Sequence, residues 1–199
     1  MSKPLIIFGT GQQADIISFY LKKMSRNIFA YCIDEKFYKK SKFNNIRVIT
    51  TSEMLKKYSP KNYNLHIAIS YSELNELRKE KYLFFKKKGY KLESIISNQK
   101  YYNTRFNPGE NSVILESYVQ PEAKIGNNSF IWSGSVIGHH SKLRNHCWIS
   151  SGTTIGGNSY VADLSFFGMN STIGHFVKIG KSCFIGAGAN ITNNIKNNS

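Results

Sequence analysis

The sequence predicts a two-part chain: an α/β domain over residues 1–106, then a stack of short parallel strands over 107–199. Three observations carry this. An aliphatic or aromatic residue recurs at every sixth position from Val113 to Ile191. The first hundred residues instead alternate apolar runs with helical patterns. The charge also breaks between the halves: 21 Lys and Arg against 8 Asp and Glu through Phe106, then 6 against 4 from Asn107. That break places the boundary at Asn107-Pro108-Gly109.

Residues 4–8 (PLIIF) form a continuous apolar run that ends at Gly9-Thr10-Gly11. Such a run reads as a buried parallel strand. Residues 12–23 follow with apolar positions in helical spacing. Strand, Gly-rich turn and helix open a Rossmann-like nucleotide-binding unit. The turn G-T-G-Q-Q-A approaches the G-x-G-x-x-G/A pattern, with Ala14 in the last place. Gly9, Gly11, Gln12 and Gln13 are therefore candidate substrate-binding residues. Residues 28–33 (IFAYCI) read as a second strand ending in Asp34-Glu35. Acids about 20 residues beyond the Gly turn are placed to accept ribose or base hydrogen bonds. Thr51-Ser52-Glu53 caps a short helix to Tyr58, which Pro60 ends. Residues 65–69 (LHIAI) are a third strand, with His66 a packed strand residue. Ser72 caps a longer helix to about Lys88, with Gly89 as its stop. Residues 91–96 give a fourth strand, and residues 101–108 form a polar connector.

In the second half, Ile125, Ile131, Ile137, Ile149 and Ile155 share one phase of six with Val119, Leu143, Val161 and Phe167. Two residues before each stands a small side chain, such as Ser129, Ser135, Ser141, Cys147 and Thr153. Directly after many comes Gly, as at Gly126, Gly138, Gly156 and Gly168. A period of six fits neither helix nor simple strand. It fits a short strand that buries two residues, turns at Gly and begins again. Each turn of such an array buries its aliphatic column only against its neighbour, so the array is stable as a unit.

Composition narrows the classes. A hydrophobic content of 41% supports a core. Basic runs, KFYKKSK at 36–42 and Lys86-Lys87-Lys88, lack a nucleic-acid-binding motif and read as a solvated surface, which would also gather phosphate-bearing small molecules. No nucleic-acid partner is expected. Cys32, Cys147 and Cys183 lack metal-site spacing, and an odd count fits a reducing compartment. No signal peptide or membrane-spanning segment is expected, and the location expected is cytoplasmic.

PLIIFGTGQQA, the acidic Asp34-Glu35, VIGHHSKLRNHCWISSGTTIGG at 136–157 and CFIGAGANIT at 183–192 together resemble the sialic-acid O-acetyltransferase and PglD-like family of hexapeptide-repeat sugar acetyltransferases. The resemblance covers nearly the whole chain. It implies a left-handed parallel β-helix with three hexads per coil, so that residues 18 apart stack. It implies transfer of an acetyl group from acetyl-CoA, with no metal, to a nucleotide-linked amino sugar for surface glycans such as lipopolysaccharide O-antigen. It also implies a homotrimer, with the active site between neighbouring β-helices, and no membrane insertion.

Residue by residue, Ile137-Gly138-His139-His140-Ser141 matches the family's V-D-H-[DE]-C segment, which makes His139 the catalytic base. His140 stands where the family has an acid. Trp148 stands where many members have a second His, and Trp132 where an Asn is common. Glu122, 18 residues before His140, is the candidate to orient an imidazole in place of the missing acid. Trp148, Gly157, His175, Gly186 and Ala187 are the candidate CoA contacts. The family continues past Gly186-Ala187-Gly188-Ala189 into a Gly-x-Pro-Ala-type segment that helps hold CoA; here Asn-rich residues run to Ser199, so either the chain is cut short or the CoA site is completed differently. Two alternatives are a sugar O-acetyltransferase and a non-catalytic nucleotide-sugar-binding paralogue. A zinc hydratase on the same β-helix fits less well. It needs convergent imidazoles, and His140 and His146 fall on different faces.

Overall fold

The computed structural model describes residues 2–97 and 107–199. Most of the predicted connector, 101–106, lies outside the described residues. The chain divides into two compact units: Met1–Ser70 with Glu80–Glu93, and Tyr71–Lys79 with Ser94–Ser199.

The first unit is built on a six-stranded sheet in the order β3-β4-β2-β1-β5-β6. Strands β1 (Leu5–Phe8), β2 (Ile28–Ile33), β4 (Ile46–Thr50), β5 (Asn64–Ile67) and β6 (Lys91–Leu92) are parallel, and the two-residue β3 (Lys42–Phe43) is an antiparallel edge. Leu5, Ile6 and Ile7 are wholly buried, as a central parallel strand requires. The order turns back between β1 and β5, so the crevice beyond Phe8 and Ile67 is the topological switch point of this sheet. Helix α1 (Gln12–Lys23) follows β1 as its spacing predicts, and Thr50 caps α2 (Thr51–Lys57) by accepting the Glu53 N–H at 3.2 Å. The sequence reading passed over β3 and β4. The turn residues Asn44 and Asn45, both at positive φ, sit between them, and the apolar stretch of β4 is broken by Arg47.

The second unit consists of three stacked parallel sheets that the strands from β8 onward visit in rotation. They are β7-β8-β11-β14-β17-β20, β9-β12-β15-β18-β21 and β10-β13-β16-β19. Their two-residue strands begin at Ile95, Val113, Tyr118, Lys124, Phe130, Val136, Lys142, Trp148, Thr154, Tyr160, Phe166, Thr172, Lys178, Phe184 and Asn190, for β7 to β21 in order. The register advances by 18 residues, as in Phe130↔Trp148↔Phe166↔Phe184. This arrangement fits a left-handed β-helix with three sides per coil. Ile131, Ile137, Ile149, Ile155, Val161 and Phe167 are all wholly buried inside it. Each such side chain contributes about 1.5–3 kcal/mol of burial.

The small inward residues do more than save space. Most of their hydroxyls donate to a carbonyl 15 residues on, in the next coil: Ser117 Oγ to Trp132 O (2.7 Å), Ser141 Oγ to Gly156 O (2.8 Å) and Ser159 Oγ to Gly174 O (2.8 Å). Each of these carbonyls thereby gains a donor that Ala would not supply.

Four expectations change. The turns do not lie at the Gly directly after each aliphatic residue. The left-handed backbone falls two residues later, at Glu122, Asn128, Gly134, His140, His146 and so on to Gly188. The first Gly has another cause: a Cβ on Gly126 would meet Arg144 C at 2.6 Å, and one on Gly138 would meet Gly157 N at 2.5 Å. It lets neighbouring coils approach. Second, the buried column begins at Ile114 rather than Val113, because β8 pairs 17 residues from β11 (Ile114↔Ile131). Third, the predicted strand 91–96 is two strands: β6 pairs with β5, and β7 (Ile95–Ile96) joins the second unit by pairing with β8. Fourth, helix α3 runs Glu76–Lys87, and Ser72 does not open it; Glu73, Leu74 and Asn75 form a left-handed turn before it.

Candidate functional site

At the end of β1, Gly9 takes φ +123, and a Cβ there would meet Ala68 O at 2.8 Å. Gly is required at this position both for backbone shape and for the approach of the β5 loop. Gly11 precedes α1, whose first N–H groups have no helical partner and favour an anionic ligand. Gln12 is exposed. Gln13 is buried, and its Nε2 has no hydrogen-bond partner among the described residues. A buried donor without an acceptor costs about 1–3 kcal/mol, so this Gln suits a polar ligand at the turn.

Both predicted acids are engaged within their own unit. Asp34 Oδ2 pairs with Lys81 Nζ at 2.7 Å, and its Oδ1 accepts from Thr51 Oγ1 at 3.0 Å. Glu35 accepts the Ser52 N–H at 2.7 Å over the start of α2, and hydrogen bonding from Ser52 holds its pKa down to about 2. Lys81 itself was missed. It reads as a solvated helix lysine, yet its ammonium lies 5.6 Å from the Phe8 ring centroid, beside the end of β1.

In the second unit, His139 and His140 meet at a corner between two sides of a coil. On a strand, successive side chains point to opposite faces. Here His140 takes φ 60, and the two rings come together with Nδ1···Nδ1 at 3.1 Å and an interplanar angle of 83°. Both residues are exposed. The His139 N–H is fixed by Gln120 Oε1 at 2.9 Å. One coil on, Gly157 leaves its side-chain space to the His139 ring: a Cβ there would stand 2.6 Å from His139 Nε2. Two coils on, His175 Nδ1 accepts the Gly157 N–H at 3.0 Å, and its ring centroid is 6.3 Å from that of His139. The structure thus gathers His139, His140, Gly157 and His175.

Other candidates stand elsewhere. Glu122 is exposed in the column of His140, but His139 supplies the bond to His140 Nδ1. Trp148 is only 3% exposed, stacked on Phe130 at 4.5 Å and in contact with Tyr71 at 5.1 Å. It belongs to an outward aromatic ladder that residues 71–79 cover. Gly186 and Ala187 are exposed, and a Cβ on Gly186 would meet nothing within 4 Å. Arg78 escaped sequence reasoning altogether. It is 2% exposed, its Nη2 donating to Asn75 Oδ1 (2.8 Å) and to His146 O and Cys147 O (both 3.3 Å), its guanidinium 5.3 Å from the Trp148 ring. Burial lowers its pKa to about 9, which still leaves it charged at neutral pH. His146 is buried beside it, and its Nδ1 accepts from Asn128 Nδ2 at 2.8 Å. Burial first, and then the charge of Arg78, lower its pKa to about 4.

Among the described residues no group of three or more His, Cys, Asp or Glu is placed to hold a metal, and no helix is long and apolar enough to cross a membrane.

A family model described as the GMPPB C-terminal domain matches residues 109–199. No curated protein sequence matches the chain. Among solved structures, the fold is similar to a histidine-to-asparagine mutant of perosamine N-acetyltransferase from Caulobacter crescentus in complex with CoA and GDP-perosamine. The TM-score is 0.87 at 18% identity, covering 99% of this chain and 92% of that one. It is also similar to WeeI from Acinetobacter baumannii (TM-score 0.72, 16% identity, 98% of this chain and 94% of that one). A third likeness is to the acetyltransferase domain of PglB from Neisseria gonorrhoeae (TM-score 0.57, 18% identity, 98% and 93%). At these identities the likeness is one of fold.

Proposed function

We propose that this protein is an acetyl-CoA-dependent acetyltransferase that N-acetylates a nucleotide-linked amino sugar destined for a surface glycan. The observation that carries the reading is the exposed imidazole of His139, held by Gln120 at its backbone and by His140 at its ring, over a glycine that leaves it room. The solved relatives add weight: one is an N-acetyltransferase bound to CoA and GDP-perosamine, and its likeness runs over both units of this chain.

In this reading the first unit is a Rossmann-like domain for the nucleotide sugar. The α1 N-terminus and the buried amide of Gln13 receive its polar groups, and Lys81 supplies a cation beside β1. The second unit is the acyltransferase domain. His139 Nε2 takes a proton from the sugar amine as the nitrogen attacks the thioester carbonyl. The tetrahedral oxyanion collapses, the C–S bond breaks, and the proton passes to the departing CoA sulfur. The amide and free CoA are the products. Gly186 and Ala187 leave open surface along which CoA can lie, and His175 borders the reacting corner. The exposed Met169, Phe176 and Phe184 support an interface between copies, for which a homotrimer is the proposed state.

The test is thiol release from acetyl-CoA with UDP-, dTDP- and GDP-linked amino sugars, run beside His139→Ala. The expected result is turnover with one acceptor, reduced at least about 100-fold in the variant. Turnover unchanged in His139→Ala would reject the assigned base. Binding of nucleotide sugar with no turnover on amine or hydroxyl acceptors would favour a non-catalytic binding protein.

A further inference from the structure

We propose that His140 is a positioning residue that accepts the Nδ1 proton of His139 and so leaves His139 Nε2 bare to act as the base. The inference rests on the acetyltransferase reading for the purpose of the device, and on geometry for its existence. Two neutral imidazoles whose Nδ1 atoms lie 3.1 Å apart satisfy each other in one way only: one carries Nδ1–H and donates, and the other carries its proton on Nε2 and accepts. If His139 accepted, its proton would sit on Nε2 and it could take no other. If it donates, Nε2 carries a lone pair, over the space that Gly157 leaves without a side chain. The interplanar angle of 83° is compatible with this bond, because the N–H and the lone pair each lie in their own ring plane and the rings can be turned about the N···N line without loss.

Surrounding groups do not replace His140 in this role. Gln120 Oε1 is taken by the His139 backbone N–H. His175 Nδ1 is taken by Gly157 N–H. Glu122, one coil before, is exposed and makes no bond to either ring among the described residues. An imidazole stands where a carboxylate would orient the base by charge. The left-handed backbone at His140 is what makes a neighbour in sequence able to reach.

Two measurements on the intact protein test this. In ¹⁵N-histidine-labelled protein, long-range proton–nitrogen spectra assign each ring tautomer, with resonances identified from single-histidine variants. His139 is expected in the Nδ1–H form and His140 in the Nε2–H form. In His140→Ala, His139 reverts to the Nε2–H form that an unconstrained imidazole prefers. In kinetics, His140→Ala lowers kcat about 100-fold with KM little changed. His140→Asp and His140→Asn restore most of that loss. Each puts a side-chain oxygen where Nδ1 now stands, and both residue types accept left-handed backbone.

His139 found in the Nε2–H form in the wild type, or His140→Ala turning over at the wild-type rate, would overturn the proposal. A wild type with the expected tautomers and no acetyl transfer would keep the dyad and reject the acetyltransferase reading, so the two failures are distinct.

Discussion

Gly157 has no side chain because an imidazole from the previous coil occupies the space. The added methyl of Gly157→Ala would stand 2.6 Å from His139 Nε2. The ring is exposed and can swing aside, so the fold loses little; what is lost is placement. A displacement of about 1 Å at a reacting group costs on the order of 100-fold. The expected outcome is a kcat reduced about 10- to 100-fold with Tm within a few degrees of wild type. A fully active variant would mean that His139 works from another rotamer. The sequence announced His139 through its motif, and Gly157 as a candidate contact. It gave no sign that the two touch, or that His175 closes the column over them. That follows from 18-residue stacking combined with an empty glycine between two rings, and the rings' directions are set only by the corners.

At the scale of the element, the left-handed turn at 73–75 and the start of α3 deliver Asn75 and Arg78 against one side of the β-helix. Asn75 Nδ2 donates to Leu164 O at 3.3 Å while Arg78 reaches His146 O and Cys147 O. Nothing in E-L-R-K-E-K marks its arginine as buried. Charge density says solvated surface, and only the aromatic ladder below it, Phe130-Trp148-Phe166, says otherwise. A consequence is measurable at His146. Its pKa in the folded state, about 4, lies below the ordinary 6.5, so on acidification the unfolded chain takes the proton first. The stability tied to neutral His146 is whole above pH 6.5 and is lost as the pH falls through 4. The loss amounts to about 3 kcal/mol when complete. His146→Asn keeps a residue suited to φ 63 and an oxygen for Asn128 Nδ2, but carries no titrating ring. Denaturant melts at pH 7 and pH 4.5 should show the wild type losing more stability than the variant. Equal losses would mean that His146 is charged or solvated when folded.

At the scale of the whole chain, the six-residue period made the β-helix legible because each coil repeats the same demand: one aliphatic residue inward, one small residue before it, close backbone contact after it. The α/β unit was legible at β1, α1 and β2, where apolar runs are unbroken, and lost at β3–β4, where Arg47 interrupts one. The phase slip at Val113-Ile114 left no mark, since either residue can face a core.

Three glycines separate the causes that one pattern concealed. Gly138→Ala would drive a methyl to 2.5–2.7 Å from backbone atoms of residues 155–157 in the next coil. Backbone cannot swing aside, so the coils must part and the buried columns on both sides part with them. A loss of at least about 3 kcal/mol is expected, felt by the whole array because each coil is stable only against its neighbours. Gly134→Ala meets nothing closer than 3.7 Å and carries only the strain of φ +76, about 1 kcal/mol. Gly186→Ala meets nothing within 4 Å at an ordinary φ and should be neutral. Urea midpoints in the order Gly138→Ala far below Gly134→Ala, and Gly134→Ala slightly below Gly186→Ala, would confirm that Gly138 serves coil contact rather than turning. If Gly134→Ala proved the most damaging of the three, backbone shape at the corners, not the distance between coils, would govern the period of six.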